Sequence, residues 1–301
     1  LKFFEDLRVL LNQYGASSVG EIGDADALQM MVDYTAGGNR LHMTYSFGFL
    51  NPEGHADHVR QQVQAFEDRV QQQKTGSWPC WTVGNHDVVR VLTRWQGESN
   101  PEDYMRMVMA MLFSLKGSAC WYQGDELTLP EAQLQFEDLV DPPGIAFWPE
   151  YKGRDGCRTP MPWQFEMPNA GFSGSHSVKP WLPVVESHHT LSVDMREKNQ
   201  NAALHFMRTF LAWRKTMPAL IRGDVTYHAG DKKVLSLTRT AEDGASLWAA
   251  FNMSAEESEI PLPESAREMD VPGLPIHQTG VMTGQVLRLP PFGIFFGSLQ
   301  S

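Results

Sequence analysis

Closely spaced cysteines are missing from this sequence. It has three, Cys80, Cys120 and Cys157, which cannot all pair within one chain and show no Cys-x-x-Cys spacing. That argues against a disulfide-stapled scaffold and a cysteine-built zinc or redox site, and it fits reduced thiols in a cytoplasmic protein. Long apolar runs are missing too: the longest in the helical part, residues 107–115, falls well short of the roughly 20 residues a membrane-spanning helix needs. Positive charge is in deficit. With 25 Lys and Arg against 36 Asp and Glu, the net charge of −11 disfavours nucleic acid as a partner and leaves a neutral substrate open. There is no internal repeat and no low-complexity segment beyond a short Gln run. An initiator methionine is lacking as well, so a lost signal peptide, with a periplasmic location, or a lost preceding domain stays open.

What is present describes a soluble globular chain of 301 residues, 42% hydrophobic and 20% charged, with ample material for a core. Its most informative stretch is Trp81-Thr82-Val83-Gly84-Asn85-His86-Asp87. The β-branched and aromatic run at 80–83 reads as a buried strand, and Gly-Asn-His-Asp reads as the turn that leaves it. Chemistry in parallel α/β proteins sits at the carboxyl ends of strands, which makes Asp87 a candidate working residue. The plainer alternative is that Asn85 and Asp87 only make the turn and cap the next helix.

The same pattern recurs along the chain. Residues 3–14 have helical spacing, and residues 17–22 read as a strand ending at Glu21, with Gly20 and Gly23 leaving room for close approach. Residues 24–34 read as a short helix or loop, 41–50 as a second strand, and 59–73 as a helix with one apolar stripe. After the strand at 80–83, Pro101 and Gly117 bracket a helix, and 118–123 form a fourth strand before Gly124-Asp125-Glu126. Strand and helix alternating four times predict a parallel sheet with crossovers, half of a (β/α)8 barrel, which takes about 250 residues when complete.

Residues 127–187 lack periodicity and read as a long loop of the functional kind. Residues 201–217 return to helix, closed by Pro218. Beyond about Leu220 come short strand candidates at 225–227, 234–240, 247–252, 286–289 and 294–297, as in a small antiparallel β domain. The expected division is therefore 1–219, barrel half, and 220–301, β-sandwich.

Five segments occur together and in order: Val19-Gly20-Glu21-Ile22, the strand at 41–49, Gly84-Asn85-His86-Asp87, Tyr122-Gln123-Gly124-Asp125-Glu126, and Gly153-Arg154-Asp155-Gly156-Cys157-Arg158-Thr159-Pro160-Met161-Pro162-Trp163. The set resembles the α-glucosidase and oligo-1,6-glucosidase branch of the α-amylase family, glycoside hydrolase family 13, particularly its bacterial members. The resemblance implies that the chain is α/β, the second half of a (β/α)8 TIM barrel (strands five to eight) followed by a small antiparallel β-sandwich. It implies catalytic roles for Glu21, as general acid/base, and Asp87, as the carboxylate favouring the cationic transition state. It implies substrate-binding roles for His86, as a donor to sugar hydroxyls, and Arg154, as a clamp on the terminal glucose. An acid at Glu21 must stay protonated near neutral pH, through burial or a neighbouring negative charge. Asp125 and Glu126 read as structural.

The family's nucleophile is an Asp in a Gly-Phe-Arg-x-Asp motif on the fourth strand, and no such motif occurs in these residues. The chain therefore reads as the C-terminal portion of a retaining α-glucosidase acting on α-glucosides or malto- and isomalto-oligosaccharides. Its partner would be the N-terminal half of the barrel, as a second chain or a lost segment. It would hold no cofactor, any structural divalent cation belonging to that other half, and would be inactive by itself. Competing readings are a glucosyl-transferring enzyme of the same family and a non-catalytic relative serving as a binding or assembly module. A metalloenzyme using His55, His58, His188 or His189 is disfavoured, since no carboxylate or cysteine set completes a ligand group.

Overall fold

The computed structural model describes residues 2–175 and 178–299. Four strands, β1 (Val19–Glu21), β2 (Met43–Tyr45), β3 (Pro79–Thr82) and β4 (Ser118–Cys120), form one sheet in that order, each pair parallel. A doubly wound sheet reverses its order at a switch point, whereas a barrel adds strands in chain order, as here. Helix α1 (Lys2–Gln13) precedes β1, α2 (Ala27–Thr35) and α3 (Ala56–Gln73) provide the next two crossovers, and α4 (Val91–Arg94) with α5 (Pro101–Ser114) the third. Asp26 caps α2 by accepting from the Gln29 N–H at 3.3 Å.

The strands are shorter than the apolar runs that predict them. The run 41–50 keeps only Met43–Tyr45 as strand, and the fully buried Phe49 leaves the ladder to stack on Trp81, ring centroids 5.2 Å apart. His58 fixes that turn through Nε2, 2.8 Å from the Gly48 carbonyl. Helix α3 buries Val59, Val63, Phe66 and Val70 along one stripe, and Phe66 meets the Trp81 ring edge-on at 5.7 Å. Trp81 is 1% exposed, and its indole N–H finds the Lys116 carbonyl at 2.9 Å, which removes the cost of burying it.

Helices α6 (Pro142–Ala146), α7 (Glu186–His189) and α8 (Val193–Lys198) interrupt otherwise irregular chain. The expected loop over 127–187 includes residues 176 and 177, which lie outside the described residues. Helix α9 (Ala203–Arg214) stops short of Pro218, which opens α10 (Pro218–Arg222) instead of closing α9. Proline suits a first helical position because that N–H has no intrahelical partner to lose.

The C-terminal part is antiparallel. Strands β5 (Asp224–Tyr227), β6 (Val234–Thr240), β7 (Ser246–Asn252), β8 (Ser258–Pro261), β9 (Ala266–Glu268), β10 (Val281–Thr283), β11 (Val286–Leu289) and β12 (Ile294–Leu299) make two sheets, ordered β5-β6-β7-β12-β9 and β10-β11-β8. Val234, Trp248, Ala250, Ala266 and Phe295 from the first sheet and Leu287 and Leu289 from the second share one core, the arrangement of a β-sandwich. The sequence reading offers no strand at β8, β9 or β10, because each is only three or four residues long.

Two compact units divide the chain. Unit 1 takes the residues up to Thr82, Met107–Cys120 and the residues from Leu211 onward, so the parallel sheet and the antiparallel sheets belong to it together. Arg239 shows why. It is fully buried in β6, and its guanidinium donates to the carbonyls of Ser114 (2.8 Å) and Leu115 (3.0 Å), at the end of α5, and of Gly223 (2.8 Å). Those helix-terminal carbonyls have no intrahelical donors, and a cation is favourable there. Unit 2 comprises Val83–Arg106 and Trp121–Phe210, the chain leaving the carboxyl ends of β3 and β4. Leu127, Leu129, Met161, Ala202 and Leu204 form one of its cores, and Ala132, Leu134, Leu139 and Leu182 another.

Candidate active site

Of the four residues singled out in the sequence, three meet in unit 2. Asn85 accepts the Asp87 N–H through Oδ1 at 2.9 Å, a tight turn that presents the Asp87 carboxylate. Asp87 Oδ1 accepts from Arg154 Nη1 at 3.0 Å and from Arg158 Nη2 at 2.8 Å. Asp87 Oδ2 lies 3.6 Å from His86 Nε2, and Arg158 Nε donates to the His86 carbonyl at 2.7 Å. The side chains of Asp87 and Arg154 are 36% and 34% exposed, so the group is held yet open to a ligand.

Glu21 stands on unit 1, at the carboxyl end of β1, the outer strand of its sheet. It is exposed, so the described residues do not supply the burial expected of a carboxyl kept protonated.

Sequence reasoning missed the groups that hold this arrangement. Arg90 donates through Nη1 to Asp125 Oδ1 (2.8 Å) and to the Gln123 carbonyl (3.1 Å), and through Nη2 to the Cys157 carbonyl (3.3 Å). Its backbone N–H reaches Glu131 Oε2 at 2.8 Å. Tyr122 lies beneath the guanidinium, 5.0 Å to the ring centroid, and its hydroxyl donates to the same Cys157 carbonyl at 2.8 Å. One buried arginine thus ties three loops together and sets the 154–158 turn against Asp87. Asp125 is consumed in this pairing and Glu126 accepts the Gly124 N–H at 2.8 Å, both structural tasks.

Arg158 and Asp141 are not among the residues the sequence singles out either. For Asp141 the only local signal, an Asp before Pro142-Pro143, is that of a helix cap. It occupies that position without making a capping bond, and its carboxylate goes to Arg154, whose hydrogen bonds hold it below the usual carboxylate range. Arg154 is raised in turn, chiefly by Asp141 and then by Asp87.

Burial pushes the Glu131 carboxyl up to about 7 and that of Asp125 to about 6, against the partial relief that Arg90 gives. A carboxyl raised on folding contributes stability that is complete below its unfolded pKa and is lost as pH rises through its folded one. Glu131→Gln is therefore expected to flatten the stability loss between about pH 4.5 and 7, so that the variant's stability relative to the wild type rises by on the order of 3 kcal/mol from pH 4.5 to 8. Urea midpoints from pH 4.5 to 8 check this, and an unchanged slope in the variant would assign it to Asp125.

The histidines weighed for a metal have other engagements: His58 as above, and His188 with the Pro130 carbonyl at 2.9 Å, burial lowering its pKa to about 4. No group of three His, Cys, Asp or Glu is placed to hold a metal among the described residues. No helix there is long and apolar enough to cross a membrane.

A family model described as Alpha amylase, catalytic domain, matches residues 2–223. The chain is 37% identical to the "Probable alpha-glucosidase" of Rhizobium meliloti (strain 1021), over 99% of this chain and 53% of that protein. It is 32% identical to the "Alpha-glucosidase" of Apis mellifera, over 61% and 31%. Among solved structures, the α-glucosyl transfer enzyme XgtA is similar at a TM-score of 0.91 and 44% identity, covering 100% of this chain and 54% of that one. The trehalose-6-phosphate hydrolase of Bacillus licheniformis, at 19% identity and a TM-score of 0.82, covering 100% and 59%, shares the fold. This chain thus spans about half the length of these two enzymes and of the Rhizobium relative. The four-stranded parallel sheet is accordingly the second half of a (β/α)8 barrel, and the antiparallel sheets are the β domain that follows it. By the extent of these matches, and by the strand order they agree with, the chain belongs to the α-amylase family, glycoside hydrolase family 13.

Proposed function

We propose that this chain carries part of the active site of a retaining α-glucosidase that releases terminal glucose from small α-glucosides. The observation that carries the reading is the convergence of Arg154 and Arg158 on one oxygen of Asp87 beside His86, in a chain of this family. With Oδ1 taken by two guanidinium groups, Oδ2 is left for a sugar hydroxyl and the carboxylate's charge for a cationic transition state. His86, 59% exposed in its side chain, is free to donate to a neighbouring hydroxyl. Arg154 retains N–H groups for the far end of the glucose.

Glu21 is the proposed acid/base. The nucleophile, an Asp about 5 Å across the sugar from it in retaining enzymes, comes from the remaining half of the barrel. That half, as a second chain or as the rest of a longer one, is the proposed partner. The chemistry uses no cofactor held by this chain. Three unpaired thiols support a reducing compartment such as the cytoplasm.

Purified residues 1–301 are expected to show no turnover of a nitrophenyl α-glucoside, and to gain it when combined with the remaining barrel half. Turnover by the isolated chain that Glu21→Gln abolishes would contradict the missing-nucleophile reading. The likeness to XgtA, an α-glucosyl transfer enzyme, favours one second reading, in which a sugar rather than water intercepts the glycosyl-enzyme. Product analysis at high maltose separates the two, since transfer leaves oligosaccharides longer than the substrate.

A further inference from the structure

Asp141 is used by none of the roles above, yet it is built into the site with care. Its side chain is 1% exposed. Oδ2 accepts from the Arg154 backbone N–H at 2.9 Å and from Nε at 3.0 Å, while Oδ1 accepts from Nη2 at 2.8 Å. The segment bearing it is pinned from the other side, where Asp155 Oδ2 accepts from the N–H groups of Val140 (2.7 Å) and Asp141 (2.8 Å). Close approach of the two segments depends on Gly153, at φ +73°, where a Cβ would lie 2.9 Å from Asp141 Oδ2 and 2.8 Å from the Gly144 Cα.

This fork-to-carboxylate contact fixes the plane of the Arg154 guanidinium and leaves only its Nη1 edge for Asp87. An arginine with Asp87 as sole partner would prefer to engage both of its oxygens, because bidentate pairing is the stronger geometry, and Oδ2 would then be lost to substrate. Charge points the same way. Asp87 and Asp141 are the carboxylates that Arg154 contacts; with Asp141 neutralised, the site would be more positive by one charge where the transition state develops its own.

We propose that Asp141 is a positioning residue that holds Arg154 to one oxygen of Asp87, keeping the other oxygen and the local charge balance available to the glucosyl cation. The inference rests on the glucosidase reading of the same site. It is tested in the complete enzyme by a double-mutant cycle on kcat/KM for a nitrophenyl α-glucoside. Asp141→Asn is expected to lower kcat/KM by about 10²-fold, mostly in kcat, as expected of a misplaced clamp. In an Arg154→Ala background, the same substitution is expected to add almost nothing. Should Asp141→Asn fail to fold, Asp141→Glu keeps the charge and shifts it by one methylene. Its loss should likewise be confined to enzyme that has Arg154. Equal losses with and without Arg154 would overturn the inference and leave the clamp assignment standing. An Arg154→Ala enzyme with unchanged kcat/KM would overturn the clamp assignment itself, and this inference with it.

Discussion

Glu21→Gln in the complete enzyme is expected to slow hydrolysis of α-glucosides with poor leaving groups by about 10²–10⁴-fold, the usual worth of a positioned general acid. Glutamine keeps the size and hydrogen bonding of the side chain but has no proton to give to the departing oxygen. A nitrophenolate needs no such help, so the first step should suffer much less with a nitrophenyl glucoside. The second step still needs a base to activate water, and a burst of nitrophenol ahead of a slow steady state should appear. Comparing maltose with a nitrophenyl α-glucoside checks the expectation. Equal losses of kcat/KM, which reports the first step, on both would remove Glu21 from the acid role. Among the described residues Glu21 lies exposed on the outer strand β1, which pairs with β2.

Asp87→Asn is expected to lower kcat/KM by about 10²–10³-fold, the range for removing one preorganised group aimed at transition-state charge. Here the loss should be the same for good and poor leaving groups, because the glucosyl cation develops in either case. That difference in pattern separates the two carboxylates. The substitution also leaves the guanidinium groups of Arg154 and Arg158 facing a neutral amide, so the site becomes more positive by one charge. With the side chain 36% exposed, water screens most of the resulting repulsion, and little change in Tm should accompany the loss of activity. A loss that followed leaving-group ability would contradict the assignment.

Local patterns carried a good part of this far. The stripe of α3 and the frame of α5, from Pro101 to just before Gly117, are legible because a helix buries every third or fourth residue and its ends take particular residues. Strands β6 and β11 coincide with their apolar runs. The runs at 41–50 and 118–123 extend beyond their strands, since an apolar stretch does not say where the ladder ends and the turn begins. Arg154 and Asp87 were found through a motif; Asp141, Arg90 and Glu131 were not, because each resembles an ordinary surface charge until its partner is known.

Most of the longer helices and strands, the parallel character of the first sheet and the antiparallel character of the second are legible from local sequence, while β8, β9, β10 and the short helices α6 to α8 are not. The legible elements follow from periodicity and turn residues, all confined to a few neighbouring positions. The roles of Glu21, His86, Asp87 and Arg154, in contrast, are only implied by resemblance to a family. That Arg154 is held between Asp141 and Asp87, that Arg90 ties Asp125, Glu131 and Cys157 into one knot, and that Arg239 binds the end of α5 emerge from the fold alone. Those partners lie 13 residues apart at the nearest and 125 at the farthest, and hydrogen bonds across such separations exist only once the chain has folded to bury them.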